Sequence, residues 1–94
     1  MALNDAAIDE GLRSLNGWTR DGDTIRRDLT FGSFREAISF IVRIAFEAEQ
    51  RDHHPDLANV YNRVTIRLST HDAGGITEKD FDLARAIDRI TWTT

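Results

Sequence analysis

The chain has no cysteine, a single proline and no long apolar run, and each shortage removes a class of explanation. Without cysteine there is neither a disulfide framework nor a thiolate metal site, and the composition fits a cytoplasmic protein. A membrane-spanning helix needs about 18 or more consecutive apolar residues. The longest apolar cluster here, Ile38 to Phe46, is broken by Ser39 and Arg43. The opening Met1-Ala2-Leu3-Asn4-Asp5 has neither the basic region nor the apolar core of a signal peptide. Basic residues are scattered and outnumbered, with a net charge of −4. A nucleic-acid surface needs clustered Lys and Arg to neutralise phosphates, so direct nucleic-acid binding is disfavoured.

What is present suits a small folded domain. Residues 1–94 are too few for two independent cores, and 40% apolar and 30% charged residues are ordinary globular values. Asn4 reads as a helix N-cap, with Leu3 and Ile8 placed as a hydrophobic staple. Ile8, Leu12 and Leu15 form the helix's apolar stripe, and Asn16-Gly17 its end. Trp18 to Arg20 and Thr24 to Phe31 flank Asp21-Gly22-Asp23, a hairpin signal. Arg27 breaks the apolar alternation of Ile25, Leu29 and Phe31, which predicts an edge position or a side chain reaching past its neighbours.

Ser33 and Glu36 have capping-box spacing and start a long helix. Phe34, Ile38, Ile41, Ala45 and Ala48 trace one face of it, widened by Phe40 and Ile44. So broad an apolar arc exceeds what one side of a small sheet requires. It points to a second copy of the chain, as a homodimer or homotetramer. Pro55 places the helix end near His53. Leu57 to Tyr61 reads as a strand, Asn62-Arg63 as a tight connection and Val64 to Thr70 as a strand with Val64, Ile66 and Leu68 on one side. His71 to Gly75 reads as a flexible loop. Thr77 then caps a last helix with Glu78 and Asp80 in its first turn and Phe81, Ala84, Ile87 and Ile90 on its buried side. The order helix-strand-strand-helix-strand-strand-helix predicts an α+β fold, a four-stranded antiparallel sheet with three helices on one face.

All three histidines fall between Glu49 and His71. Glu49 and His53 are four apart, so on a helix the carboxylate can fix the imidazole's tautomer. The helix's negative end favours a charged His53 in the same way, although a cation closing a helix needs no further purpose. His54 points away from His53, which weakens a shared zinc site. His71 opens a glycine-containing loop, a frequent home for functional groups, but equally the place for an exposed histidine. Asp80 alone is a dipole-matched acid, and Tyr61 and Trp18 alone are core residues.

Jointly these residues form a longer pattern. Glu49, His53-His54-Pro55, Tyr61, His71 and Asp80, at their present spacings, resemble the signature of the pterin-4a-carbinolamine dehydratases. The phrases Asp52-His53-His54-Pro55-Asp56, Asn59-Val60-Tyr61-Asn62, Leu68-Ser69-Thr70-His71 and Gly74-Gly75-Ile76-Thr77-Glu78-Lys79-Asp80 match as well. The resemblance implies dehydration of a 4a-hydroxytetrahydropterin to quinonoid dihydropterin, in recycling the pterin of aromatic amino acid hydroxylases. It implies no metal and no organic cofactor. It places His53 and His71 as an acid/base pair and His54 beside them, mainly holding the pterin. Glu49 would orient His53, and Asp80 would support the His71 side. Backbone groups of His53, His54 and Pro55, and of Thr70, His71, Asp72 and Ala73, would grip the substrate. Some members of the family also act as dimerisation cofactors of transcription factors through the long-helix surface, which gives an interaction module as the alternative.

Overall fold

In a computed structural model the chain is described over residues 1–93, and its side chains over residues 1–91. The elements run α1 (Asp5–Arg13), β1 (Thr19–Asp21), β2 (Thr24–Thr30), α2 (Phe34–Gln50), β3 (Asp56–Val60), β4 (Arg63–Leu68), a 3-10 turn (His71–Ala73) and α3 (Glu78–Thr93). The strands form one antiparallel sheet in the order β1-β2-β4-β3. The α+β architecture, four strands with three helices on one face, follows the sequence reading.

Alternation explains why one face is covered. Along β4, Val64, Ile66 and Leu68 are buried and meet Ile44, Phe40, Phe81 and Ile87 in a single apolar core. Asn4 caps α1 by accepting from the Ala7 N–H at 2.9 Å. Ser33 caps α2 by accepting from the Glu36 N–H at 3.2 Å, while Glu36 accepts from the Gly32 N–H at 2.8 Å. Phe31 and Phe40, with ring centroids 4.9 Å apart, seat the start of α2 on the sheet.

Several local expectations change. α1 stops at Arg13, because Ser14 turns back onto the carbonyls of Gly11 and Leu12. Gly17, at φ +82°, instead serves the approach to Trp18. Arg27 lies on a central strand and not an edge. It points to the helical side, where its guanidinium bonds Asp88, which also accepts from Trp18 Nε1 at 2.8 Å. An acid from α3 thus neutralises the one cation on that stretch of inner face.

The turn between β3 and β4 is Tyr61-Asn62, so Tyr61 leaves the strand at φ +51° and is exposed. Asn59 Nδ2 bridges this corner by donating to the Tyr61 and Arg63 carbonyls at 3.1 and 2.8 Å, and Asn62 ties it to the end of β2, donating from Nδ2 to the Phe31 carbonyl at 2.9 Å. The α2 face is rotated from the expected stripe. Ala37, Phe40, Ile44 and Ala48 are buried, whereas Phe34 and Ala45 face solvent. Apolar residues run along two sides of this helix, and periodicity alone cannot say which side meets the core. The segment His71 to Gly75 is a structured turn. Thr70 N–H donates to the Gly75 carbonyl at 2.8 Å, and Gly74 takes the left-handed φ of 73° that glycine adopts without strain.

Candidate active site

The site starts at the end of α2, where Arg51 caps the helix and Asp52 adopts a left-handed φ of 49°. The Asp52 N–H then reaches the Glu49 carbonyl at 3.2 Å and the His53 N–H the Ala48 carbonyl at 3.1 Å. This is a Schellman ending, in which the residue two past the cap folds back over the last turn. It ends the helix before Pro55 is reached. It also turns His53 inward, onto buried Ala48, and leaves His54 outside.

His53 meets Asp80. Its Nε2 lies 2.5 Å from Asp80 Oδ1, with Asp80 at 0% exposure and His53 at 9%. Asp80 comes from the first turn of α3, where Oδ2 accepts from the Thr77 N–H at 2.8 Å. Thr77 and Asp80 thus make half of a capping box. A third donor arrives from the end of β4, the Thr70 hydroxyl at 3.1 Å from Oδ2. The dehydrated carboxylate therefore has three donors from three segments. Leaving even one such group unsatisfied costs about 1–3 kcal/mol. Thr70 Oγ1 is also 2.6 Å from Thr77 Oγ1, which lies 3.2 Å from the Lys79 N–H.

The expected pairings are exchanged. Glu49 bonds the exposed His54, Oε1 to Nε2 at 2.9 Å, and not His53. Four-residue spacing puts Glu49 under His53 only if the helix continues, and Asp52 ends that geometry. Asp80 supports His53 directly, and reaches the His71 side only through Thr70. His71 itself is exposed at the head of its turn. Pro55 is half-buried at the entry to β3.

Two adjoining concavities flank this network. One, of about 450 Å³, is walled by Thr70, Asp72, Ala73, Thr77, Glu78 and Lys79 with Met1 and Leu3. A smaller one, of about 190 Å³, is walled by Arg51, His53, Lys79 and Asp82. Lys79 borders both. Thr70, Asp72 and Ala73, expected as substrate contacts, line the first; His53 lines the second; His54, Pro55 and His71 line neither. Among the described residues no three His, Asp or Glu side chains converge as metal ligands. Thr77, Lys79 and Arg51 were not singled out as site residues from the sequence. The Thr77-x-x-Asp80 spacing was the available signal for the first, because it ties the acid to a cap.

A buried histidine-carboxylate pair, set where a helix end meets a strand end, defines a small α+β domain equipped for proton transfer. The chain's kinships agree with that class. The family model described as "Pterin 4 alpha carbinolamine dehydratase" matches residues 1–90, and the chain belongs to that family of hydro-lyases. A protein of Opitutus terrae is 55% identical over 91 residues, covering 96% of this chain and 94% of its own. One of Roseiflexus castenholzii is 56% identical over 88 residues, covering 94% and 95%. Both are named, provisionally, as pterin-4-alpha-carbinolamine dehydratases. The crystal structure of a protein from Brucella melitensis, described as a "transcriptional coactivator/pterin dehydratase", superposes with a TM-score of 0.92 at 38% identity, covering 96% of this chain and 98% of that one.

Proposed function

We propose that the chain dehydrates a 4a-hydroxytetrahydropterin to quinonoid dihydropterin and water by histidine acid/base catalysis. The observation that carries this reading is the buried His53–Asp80 pair beside an open cleft. An ionised carboxylate only accepts, so His53 Nε2 carries a proton and Nδ1 is the nitrogen left for the cleft. Among the described residues Nδ1 has no protein partner.

The elimination breaks the C4a–O bond, forms the N5=C4a bond, releases the N5 proton and adds a proton to the departing hydroxyl. In this reading His53, backed by Asp80, takes the N5 proton, and Asp80 stabilises the imidazolium that results. His71, on the exposed turn next to Thr70, is assigned to protonate the hydroxyl. His54 holds the pterin ring from outside, with Glu49 fixing its orientation. Backbone groups of Pro55 and of Thr70 to Ala73 complete the grip. No metal or organic cofactor enters the reaction. General acid/base groups supply roughly 100- to 10,000-fold, so His53→Ala and His71→Ala, each folded, are expected to lose at least about 100-fold in kcat. The assay is turnover of freshly generated carbinolamine, with EDTA-treated enzyme alongside. Two variants with wild-type kcat, or activity abolished by EDTA, would refute the assignment.

A second reading rests on α2. Phe34, Ile38, Val42 and Phe46 are 50%, 36%, 48% and 70% exposed, an apolar ridge in steps of four. We infer that this ridge joins copies of the chain as a homodimer or homotetramer, or meets a protein partner. The Brucella protein, whose name pairs coactivator with dehydratase, supports the latter use. Sedimentation decides between copies and partner: a monomer at every concentration removes self-association.

A further inference from the structure

The hydroxyl protons around Asp80 can be assigned by counting. Asp80 Oδ2 only accepts, so Thr70 spends its single hydroxyl proton on it at 3.1 Å. The 2.6 Å contact between the two threonines is then Thr77 donating to Thr70. Thr77 Oγ1 in turn accepts from the Lys79 N–H at 3.2 Å. One polarised chain results: Lys79 N–H, Thr77 hydroxyl, Thr70 hydroxyl, Asp80 carboxylate, His53 imidazole. Every donor in it points towards the carboxylate, and it begins at the positive end of the α3 dipole. Successive bonds of this kind polarise one another.

We propose that Thr70 is a positioning residue for the reaction, its hydroxyl setting through Asp80 how firmly His53 holds its proton. The proposal rests on the reading that His53 handles the N5 proton. Thr70 is 9% exposed and its hydroxyl proton is spent inside the protein, so that proton is not offered to a substrate in the cleft. Its backbone meanwhile closes the turn that carries His71, with Thr70 N–H on Gly75 and the Ala73 N–H on the Thr70 carbonyl at 3.1 Å. One residue therefore joins the His53 side of the site to the His71 side. The other charged groups facing the pair are Arg51, Lys79 and Asp82 around the His53 cleft, with Asp72 and Glu78 beside Thr70. Arg51 is engaged by Glu47 at 2.8 Å and Asp82 by Arg85 at 2.5 Å, and neither touches Asp80.

The test compares Thr70→Val, isosteric but without the hydroxyl, with Thr70→Ser, which keeps it. Removing one donor to a charged acceptor leaves Asp80 a stronger base towards His53. Thr70→Val is expected to lose about tenfold in kcat with KM held, and its pH–rate profile to move to higher pH. Thr70→Ser is expected to restore both. Nitrogen-15 NMR of the His53 ring reads the same change without turnover, as an altered Nε2–H signal in Thr70→Val alone. Wild-type kcat, profile and ring signals in Thr70→Val overturn the proposal, and so does equal loss in Thr70→Ser. If the wild type itself turns over no carbinolamine, the proposed function fails while the NMR comparison still decides the coupling. Should Thr70→Val not fold, Thr70→Ala carries the same readouts.

Discussion

Thr65 and Asp28 face each other across the β2–β4 pairing on the side of the sheet that no helix covers. The Thr65 hydroxyl donates to Asp28 Oδ1 at 2.8 Å, and with Arg26 beside it this holds the Asp28 carboxyl below its ordinary value of 3.8. A depressed carboxyl contributes stability above its unfolded value and loses it as pH falls through the folded one. The contribution therefore disappears only below about pH 4, and solvent screening keeps it small. Thr65→Val is expected to move the Asp28 midpoint up towards 3.8 in an NMR pH titration; an unmoved midpoint would show that the hydroxyl is not the cause. The same chemistry, a threonine donating to an acid, recurs in the buried site, and neither instance was legible in the sequence. The resemblance to the dehydratase signature marked Glu49, His53, His54, His71 and Asp80 as a group. The partners were misassigned because one left-handed residue, Asp52, redirects two imidazoles. An aspartate in that conformation carries no signal in a pattern where glycine is the usual occupant.

At the scale of elements, the caps were the most legible features. Asn4, Ser33 and Thr77 all sit where their side-chain oxygens meet helix N–H groups, since that chemistry is local. Faces were less legible, because they depend on what each helix meets. Gly11 shows this: a Cβ there would lie 2.5 Å from the Phe81 ring, so a residue that weakens α1 locally is required where α1 crosses α3. α2 shows it again, with one apolar side in the core and the Phe34–Phe46 ridge outside. Val42→Glu, at the middle of that ridge, is expected to shift sedimentation towards monomer while leaving the thermal midpoint of the monomer within about 2–4 °C. Such a surface change away from the core alters stability by only about 0.5 kcal/mol. An unchanged sedimentation profile would relocate any self-association to another face.

For the whole molecule, the α+β class and element order were readable because hydrophobic period changes cleanly between strands and helices. The strand order was not readable, since nothing in either hairpin names its neighbour. That order, β1-β2-β4-β3, has a kinetic consequence. Each hairpin closes locally, yet the sheet's centre is the pairing of Ile25 with Leu68 and Leu29 with Val64, residues separated by the whole of α2. Distant pairings of this sort are slow to form, because chain entropy is lost before contacts are gained. The β2–β4 seam should therefore limit the rate at which the sheet assembles, and as the central pairing it should be the slowest to open. In native-state hydrogen exchange its amides are expected to exchange only through global unfolding, while β1 and β3 release theirs earlier. Equal protection across the sheet would mean that the two hairpins come apart as one cooperative unit.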